Sequence, residues 1–123
     1  HTTVLGAMQA IPQVGPLVQA ARGRFAFTSS DMAYIAGADS SMGWAYRVSK
    51  AALNMAVAAA RHDFPGAIFL AMSPGWVRTD MGGPAAPLTP EQSVDAMRKT
   101  LAGLTSRHHG AFLNYDGRRF KGW

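Results

Sequence analysis

Three short apolar runs, each preceded by a turn and separated from the next by a helix-like segment, restrict the folds open to this chain. They read GRFAFTSS (residues 23–30), PGAIFLAM (65–72) and GAFLNYDG (110–117). Strands with continuous rather than alternating apolar residues are typical of a parallel sheet that is buried on both faces. The sequence therefore predicts an α/β fold in which helices cover both faces of a parallel sheet.

Apolar residues at helical spacing predict three helices. These are residues 1–21, 44–61 and 89–106. In the first, Pro12, Gly15 and Pro16 predict a kink or a break, since proline cannot donate a backbone hydrogen bond. The second is rich in alanine and apolar nearly all round, so we expect other parts of the protein to cover it on more than one side. The third begins with Thr-Pro-Glu, a helix start signal.

Two connections between these elements are predicted to be loops. Residues 73–90 contain four prolines and three glycines, and loops of this length in compact domains are typically functional or mobile. Residues 31–43 are small and polar. Near the third strand, His108 and His109 lie beside a turn, and we expect both to be solvated rather than to bind a metal.

Charge and composition exclude several classes of function. The net charge of +5 arises from Lys and Arg residues that are scattered along the chain, whereas nucleic-acid binding needs clustered charge or aromatic platforms. We therefore expect no nucleic-acid partner. No apolar stretch approaches the roughly 18 residues of a membrane span, so we expect no membrane partner. The chain has no cysteine, which excludes disulfides and thiolate metal sites and fits a cytoplasmic location.

Tyr46 and Lys50 form a polar pair in the otherwise apolar second helix. Because they are four residues apart, they share one helix face, with Cβ atoms about 5–6 Å apart. The pKa of an unperturbed tyrosine is about 10, and a nearby cation lowers it by favouring the phenolate. The pair is a candidate proton donor and acceptor, although Tyr and Lys at this spacing also occur in many helices without a function.

Two further motifs flank this pair along the chain. Hydroxyl groups end the first predicted strand, in FAFTSS, and a Pro-Gly turn with a threonine follows the second, in MSPGWVRTDM. The carboxyl ends of parallel strands lie at one edge of a sheet, where open α/β sheets bind their ligands. We therefore expect all three motifs to converge at this edge.

Together the three motifs resemble those of the short-chain dehydrogenase/reductase family. The family's Tyr-x-x-x-Lys motif corresponds to YRVSK, its serine-bearing strand, typically ending Asn-Ile-Ser-Ser, to FAFTSS, and its nicotinamide-side motif Pro-Gly-x-Val-x-Thr to PGWVRT. With the closing FLNYDG, the chain looks most like the branch of C-factor and sniffer-like carbonyl reductases. The resemblance covers the whole chain and implies a Rossmann-like, doubly wound parallel sheet.

The resemblance implies catalytic roles for three residues. Tyr46 would exchange a proton with the substrate oxygen. Lys50 would lower the pKa of the phenol and bind the nicotinamide ribose. Ser30, which lies 16 residues before Tyr46, would orient and polarise the substrate oxygen, and Ser29 is the competitor for this role.

The resemblance also implies a cofactor, NAD or NADP, and a small carbonyl or alcohol substrate. The nicotinamide side of the cofactor would contact Tyr46, Lys50, Pro74, Gly75, Val77 and Thr79. Most of these contacts would be made by the backbone, so a glycine at position 75 would allow close approach.

Two features depart from the family pattern. Thr3 stands where the family often has an asparagine that supports a proton-relay water. The glycine-rich turn that binds the pyrophosphate is missing from these 123 residues. We therefore expect residues 1–123 to be the C-terminal part of a single Rossmann-like domain, with about three strands and without its dinucleotide-binding N-terminal half.

The expected function is NAD(P)-dependent interconversion of a carbonyl and an alcohol by hydride transfer, in an enzyme of which this chain alone would be inactive. The alternative is a non-catalytic relative that acts through partner binding or signalling. In the family the two helices that flank the serine strand often pack against a second subunit, so residues 1–21 and 44–61 are a candidate homodimer interface.

Overall fold

The computed structural model describes the backbone of residues 2–123 and the side chains of residues 4–123. Three α-helices alternate with three strands. In order they are α1 (Thr2–Ala20), β1 (Arg24–Thr28), α2 (Trp44–Ala60), β2 (Ile68–Ser73), α3 (Pro90–Ala102) and β3 (Ala111–Asn114). The predicted alternation is confirmed. None of the helices in this part of the chain combines the length and the apolar character needed to cross a membrane.

All three strands are parallel, in the order β1-β2-β3. In register, Phe25 of β1 lies beside Phe69 of β2, and Met72 of β2 lies beside Leu113 of β3. Helices α1 and α2 pack on the face that carries Phe25 and Phe69, while α3 packs on the face that carries Met72 and Leu113. The predicted α/β fold, with helices on both faces of a parallel sheet, is confirmed.

Two apolar clusters hold these layers together. On the α3 face, Leu70 and Leu113 are fully buried against Leu104. On the opposite face, Phe69 is fully buried against Val57 of α2. Burial of one such side chain stabilises the fold by ~1.5–3 kcal/mol. Because β2 contributes to both clusters, it is the central strand of the core as well as of the sheet.

Helix α1 runs unbroken through Pro12, Gly15 and Pro16, so of the predicted kink or break the break does not occur. Both prolines are exposed, and water can bind the carbonyl groups that lose their helical donors. Gly15 is buried because the ring of Phe64 packs on it: a Cβ at this position would lie 2.7 Å from that ring. The glycine therefore allows close packing rather than ending the helix.

The outward side of α2 is apolar and exposed. Trp44, Val48 and Met55 are 70%, 60% and 67% exposed, and their spacing places them on one face of the helix. Leu5 and Met8 of α1 are exposed as well. α2 packs against α1, β2 and the turn at residues 31–33, but this face of the helix stays uncovered among residues 4–123. We call Trp44, Val48 and Met55 the α2 stripe.

β1 is an edge strand, and within residues 2–123 no strand pairs with its outer side. Ala26 and Thr28 of β1 lie on the face of the sheet that α3 covers over β2 and β3. Both residues are exposed. A groove of about 350 Å³ lies next to this strand, lined by Gly6 and Ala10 of α1 and by Phe25. We call it the β1 groove. An unpaired strand edge beside apolar surface is a place where further chain can pair.

His109 joins β2 to the end of α2, so the expectation that it is solvated is wrong. Its Nδ1 atom accepts a hydrogen bond from the Phe69 backbone N–H at 2.9 Å. Nε2 lies 2.8 Å from the Arg61 carbonyl oxygen and donates to it, because the neutral ring carries its proton on the nitrogen that does not accept. The paired register of β3 begins at Ala111, so the imidazole takes the place of a strand partner for Phe69.

We predict that His109→Ala lowers the free energy of unfolding by about 1–3 kcal/mol, because the buried N–H of Phe69 loses its acceptor. His109→Asn should lose less, since its side-chain oxygen can stand near the position of Nδ1. Urea denaturation followed by circular dichroism measures the effect. His62→Ala is the control, because His62 is exposed and its loss should cost less than ~0.5 kcal/mol. Equal stability of the two alanine variants would contradict the role of His109.

Candidate active site

The carboxyl ends of the three strands lie at one edge of the sheet because the strands are parallel. β1 ends at Thr28, directly before the two serines, and β2 ends at Ser73, directly before the Pro-Gly turn. Helix α2 reaches the same edge, since the Lys50 ammonium donates to the Thr28 carbonyl at 3.1 Å. This hydrogen bond joins the helix that carries the Tyr-Lys pair to the strand that leads to Ser30.

Tyr46 and Lys50 lie on adjacent turns of α2. The Nζ atom of Lys50 is 5.7 Å from the centroid of the Tyr46 ring, within the range of cation–π attraction. Both side chains are partly buried. Burial lowers the pKa of the Lys50 ammonium, because the charged form loses part of its hydration. The Thr28 carbonyl uses one of the three donors of the ammonium.

Ser30 begins a single turn of 3-10 helix, Asp31–Ala33. Its backbone is extended, with φ −159° and ψ 152°. The hydroxyl oxygen accepts a hydrogen bond from the Met32 backbone N–H at 3.1 Å and lies 3.2 Å from a carboxylate oxygen of Asp31, to which it donates. Ser30 is partly exposed, so a substrate oxygen can compete with Asp31 for its proton.

Ser29 is directed to the opposite side, into the protein. It is 2% exposed and donates to Oδ1 of Asn54, which is 1% exposed, at 2.7 Å. Side chains alternate along an extended chain, so Ser29 shares the side of Phe25 and Phe27, which faces α1 and α2. Its hydroxyl is thus used to attach α2 to β1, whereas that of Ser30 is accessible.

Asn54 is a site-forming residue that the sequence analysis missed. The available signal was a lone amide in the apolar part of the second helix, eight residues after Tyr46. Its Nδ2 atom is buried and has no hydrogen-bond partner among the described residues. Buried polar groups are nearly always paired, so this donor is an exception among the described residues.

Gly75 has a packing reason that the sequence did not reveal. Its φ is +83°, a conformation that favours glycine. A Cβ at this position would lie 2.7 Å from Leu88 and 2.8 Å from the ring of Tyr115. The Pro74 carbonyl accepts a hydrogen bond from the buried Ser93 hydroxyl at 2.6 Å. The Pro-Gly turn is therefore fixed by α3 and by the segment after β3, independently of any ligand.

Val77 and Thr79 lie in a loop that bonds mainly to itself. Val77 forms a parallel bridge with Leu88, and the Thr79 hydroxyl accepts a hydrogen bond from the Gly82 N–H at 3.1 Å. Thr79 is exposed, so its proton is available to a ligand. The hydrogen bonds that the structure describes for residues 74–88 all stay within residues 73–93. They do not attach this loop to Tyr46 or Lys50.

Two other predictions concern Thr3 and the binding of a metal ion. The side chain of Thr3, which stands where the family often has an asparagine, lies outside the described residues. In the described part of the chain no group of three or more His, Cys, Asp or Glu side chains could hold a metal ion.

No protein-family model matches the chain, but individual proteins do. C-signal of Myxococcus xanthus is 43% identical over 103 residues, which cover 82% of this chain and 62% of that protein. The 1-hydroxy-2-glutathionyl-2-methyl-3-butene dehydrogenase of Rhodococcus sp. (strain AD45) is 31% identical over 119 residues, which cover 92% of this chain and 52% of that protein.

Solved structures of oxidoreductases also match the chain. Carbonyl reductase Sniffer of D. melanogaster matches 99% of this chain and 54% of its own, with a TM-score of 0.91 and 31% identity. A putative short-chain dehydrogenase/reductase from Burkholderia multivorans with bound NADP matches 97% of this chain and 52% of its own, with a TM-score of 0.80 and 30% identity. The chain belongs to the short-chain dehydrogenase/reductase (SDR) family. The Rossmann-like prediction is thereby confirmed.

This SDR chain spans only 52% to 62% of the length of these two curated relatives. The matched part carries the Tyr-Lys pair, the serine strand and the Pro-Gly loop. The uncovered part is 38% of C-signal and 48% of the dehydrogenase.

We predict that Ser29→Ala lowers the free energy of unfolding of this SDR protein by about 1–3 kcal/mol, because the buried Asn54 amide loses its donor. Ser30→Ala should cost less than ~1 kcal/mol, since its hydroxyl is partly exposed and caps only one turn. Chemical denaturation of the two variants is the comparison to make. A larger loss from Ser30→Ala would show that the two serines have been assigned the wrong way round.

Proposed function

We propose that this chain is the catalytic part of an NAD(P)-dependent oxidoreductase that interconverts a carbonyl and an alcohol. The observation that carries the proposal is the Tyr46–Lys50 pair, joined through the Thr28 carbonyl to the strand that leads to Ser30. A phenol, an ammonium and a hydroxyl are the groups needed to move one proton to or from a substrate oxygen. The dehydrogenase and the carbonyl reductases among the relatives support the same chemistry.

Each of the three residues has a distinct task in this reaction. In the reducing direction, Tyr46 donates its hydroxyl proton to the substrate oxygen while the carbonyl carbon gains a hydride, which yields the alcohol. The Lys50 ammonium beside the ring stabilises the negative charge left on the phenol oxygen. Ser30 donates a hydrogen bond to the substrate oxygen and orients it. Oxidation of an alcohol runs through the same groups in reverse.

The residues present fit the nicotinamide side of the cofactor. When bound, the nicotinamide group supplies or accepts the hydride. Lys50 has two donors left for ribose hydroxyls, and the Thr79 hydroxyl is exposed. Pro74, Gly75 and Val77 would border the ring from a loop whose shape the protein itself fixes. NADP-bound structures among the solved relatives support this cofactor class.

We also propose that residues 1–123 form the C-terminal part of a longer Rossmann-like domain and are inactive alone. Three observations support this: the partial cover of the relatives, the unpaired edge of β1 and the β1 groove beside it. A strand from the rest of the domain would pair with β1 and fill the groove. The pyrophosphate would be bound there as well, because no glycine-rich phosphate turn occurs in these 123 residues.

For the whole protein we propose a homodimer through α1 and α2. The α2 stripe together with Leu5 and Met8 is the apolar surface that supports it, since exposed apolar patches mark interaction sites. The same surface supports a second candidate function, in which a non-catalytic protein acts by binding a partner or by signalling. The 43% identity to C-signal of Myxococcus xanthus is the observation that favours this alternative.

We expect Tyr46→Phe, made in the longer protein, to lower kcat/KM for carbonyl reduction by about 100-fold or more, because the proton donor is lost. NADPH oxidation is followed by absorbance with a panel of carbonyl compounds, and NADPH binding by fluorescence should stay unchanged. Tyr34→Phe is the matched control, and residues 1–123 alone should give no turnover. Full turnover by Tyr46→Phe would contradict the acid/base role. If the unaltered protein turns over nothing, the binding function is favoured.

The pH profile should depend on Lys50. Burial lowers its pKa below the usual value of about 10.4. As the pH rises, Lys50 therefore loses the charge that stabilises the phenolate at a lower pH than an exposed lysine would. The rate should therefore decline on the alkaline side. In Lys50→Arg this decline should move to higher pH, because a guanidinium stays charged up to about pH 12.

The measurement is kcat/KM from about pH 7 to about pH 10. Lys99→Arg serves as the control, since Lys99 pairs with Asp95 on the exposed side of α3 and should not alter the profile. An identical alkaline decline in Lys50→Arg would exclude Lys50 as its cause.

A further inference from the structure

The segment after β3 folds back along the outer edge of that strand. A turn closes with the Asn114 N–H donating to the Arg118 carbonyl at 2.8 Å. Leu113 and Arg119 then form an antiparallel bridge, and the Phe120 N–H donates to the Phe112 carbonyl at 3.1 Å. We call residues 118–123 the return arm. It covers the edge of β3 that would otherwise be unpaired.

Aromatic stacking holds the return arm in place. The ring of Phe120 lies 4.0 Å from that of Phe112, at an interplanar angle of 13°. The Trp123 ring lies 5.9 Å from Phe112 at 5°. Phe112 is 4% exposed, so both arm residues stack on a ring that is fixed in the core. Aromatic pairs of this kind stabilise by ~0.5–1.5 kcal/mol beyond their buried area.

The return arm extends from β3 to the loop that follows Ser30. The Phe120 ring lies 5.4 Å from that of Tyr34, and the Ile35 backbone N–H donates to the Trp123 carbonyl at 2.9 Å. Ala33, which is 2% exposed, packs in the same cluster as Phe112. Residues at the end of the chain sequence thus contact a loop more than 80 positions earlier.

A short series of hydrogen bonds connects this contact to the Ser30 hydroxyl. The Tyr34 N–H donates to the Asp31 carbonyl at 3.0 Å, and the Ala33 N–H donates to the Ser30 carbonyl at 3.0 Å. In the same turn, the Met32 N–H donates to the Ser30 hydroxyl oxygen at 3.1 Å. Since the return arm contacts Tyr34 and packs against the cluster that contains Ala33, it supports the turn whose N–H group orients the Ser30 side chain.

We propose that Phe120 and Trp123 are positioning residues for Ser30. They act on the reaction through the Asp31–Ala33 turn and do not touch the substrate. The inference rests on the proposed function, because it assigns the return arm a task only if Ser30 polarises a substrate oxygen. A hydroxyl displaced by about 1 Å loses much of its effect on a reacting atom.

A double-mutant cycle in the longer protein tests this proposal. Phe120→Ala should lower kcat about 10-fold in the unaltered background but less than about 2-fold in the Ser30→Ala background, since coupled residues are not additive. The KM for NADPH should not change. Phe64→Ala is the control: its ring stacks on Phe69 at the start of β2, and its effect should be the same in both backgrounds. Phe120→Tyr, which keeps the stacked ring, should restore kcat.

Equal effects of Phe120→Ala in the two backgrounds would overturn the proposal and leave the oxidoreductase function intact. If Ser30→Ala itself leaves kcat unchanged, the catalytic assignment of Ser30 fails, and the proposal fails with it. Should Phe120→Ala not fold, Phe120→Leu keeps an apolar side chain without the stacked ring and carries the same cycle.

Discussion

The pairing of β2 with a parallel strand on each side determines where the candidate site lies. Because all three strands run in one direction, the hydroxyls after β1, the Pro-Gly turn after β2 and the turn after β3 meet at one edge. The fully buried Phe69 and Leu70 attach this sheet to helices on both faces. A change that shifted β2 by one residue would reverse both faces and separate the site residues.

The alternation of side chains along the extended chain after β1 also shapes the site. Ser29 and Ser30 are neighbours with the same side chain, yet one is buried on Asn54 and the other is accessible. This difference follows from the two-residue period of an extended chain. Lys50 then joins helix and strand through the Thr28 carbonyl. Thus the hydroxyl that we propose to face a substrate and the hydroxyl that fixes the scaffold occupy consecutive positions.

Three kinds of group lack a partner among the described residues. The outer edge of β1 lacks a strand among residues 2–123, the Asn54 Nδ2 donor is buried without a described partner, and the α2 stripe is exposed. On the opposite side of the sheet the return arm covers β3. These three groups lie on the β1 and α2 side, where we propose that further chain packs.

The sequence by itself determined the order and type of the elements, the family, and the spacing of Tyr46 and Lys50, because local periodicity and short motifs encode these directly. Only the tertiary structure decided that His109 replaces a strand partner for Phe69, that Gly15 and Gly75 make room for aromatic rings, and that α1 continues through its prolines. It also decided that the return arm reaches Ile35. The physical reason is that most of these features depend on contacts between residues about 40 or more positions apart, and nothing in a residue's neighbours along the chain specifies which distant group will lie against it.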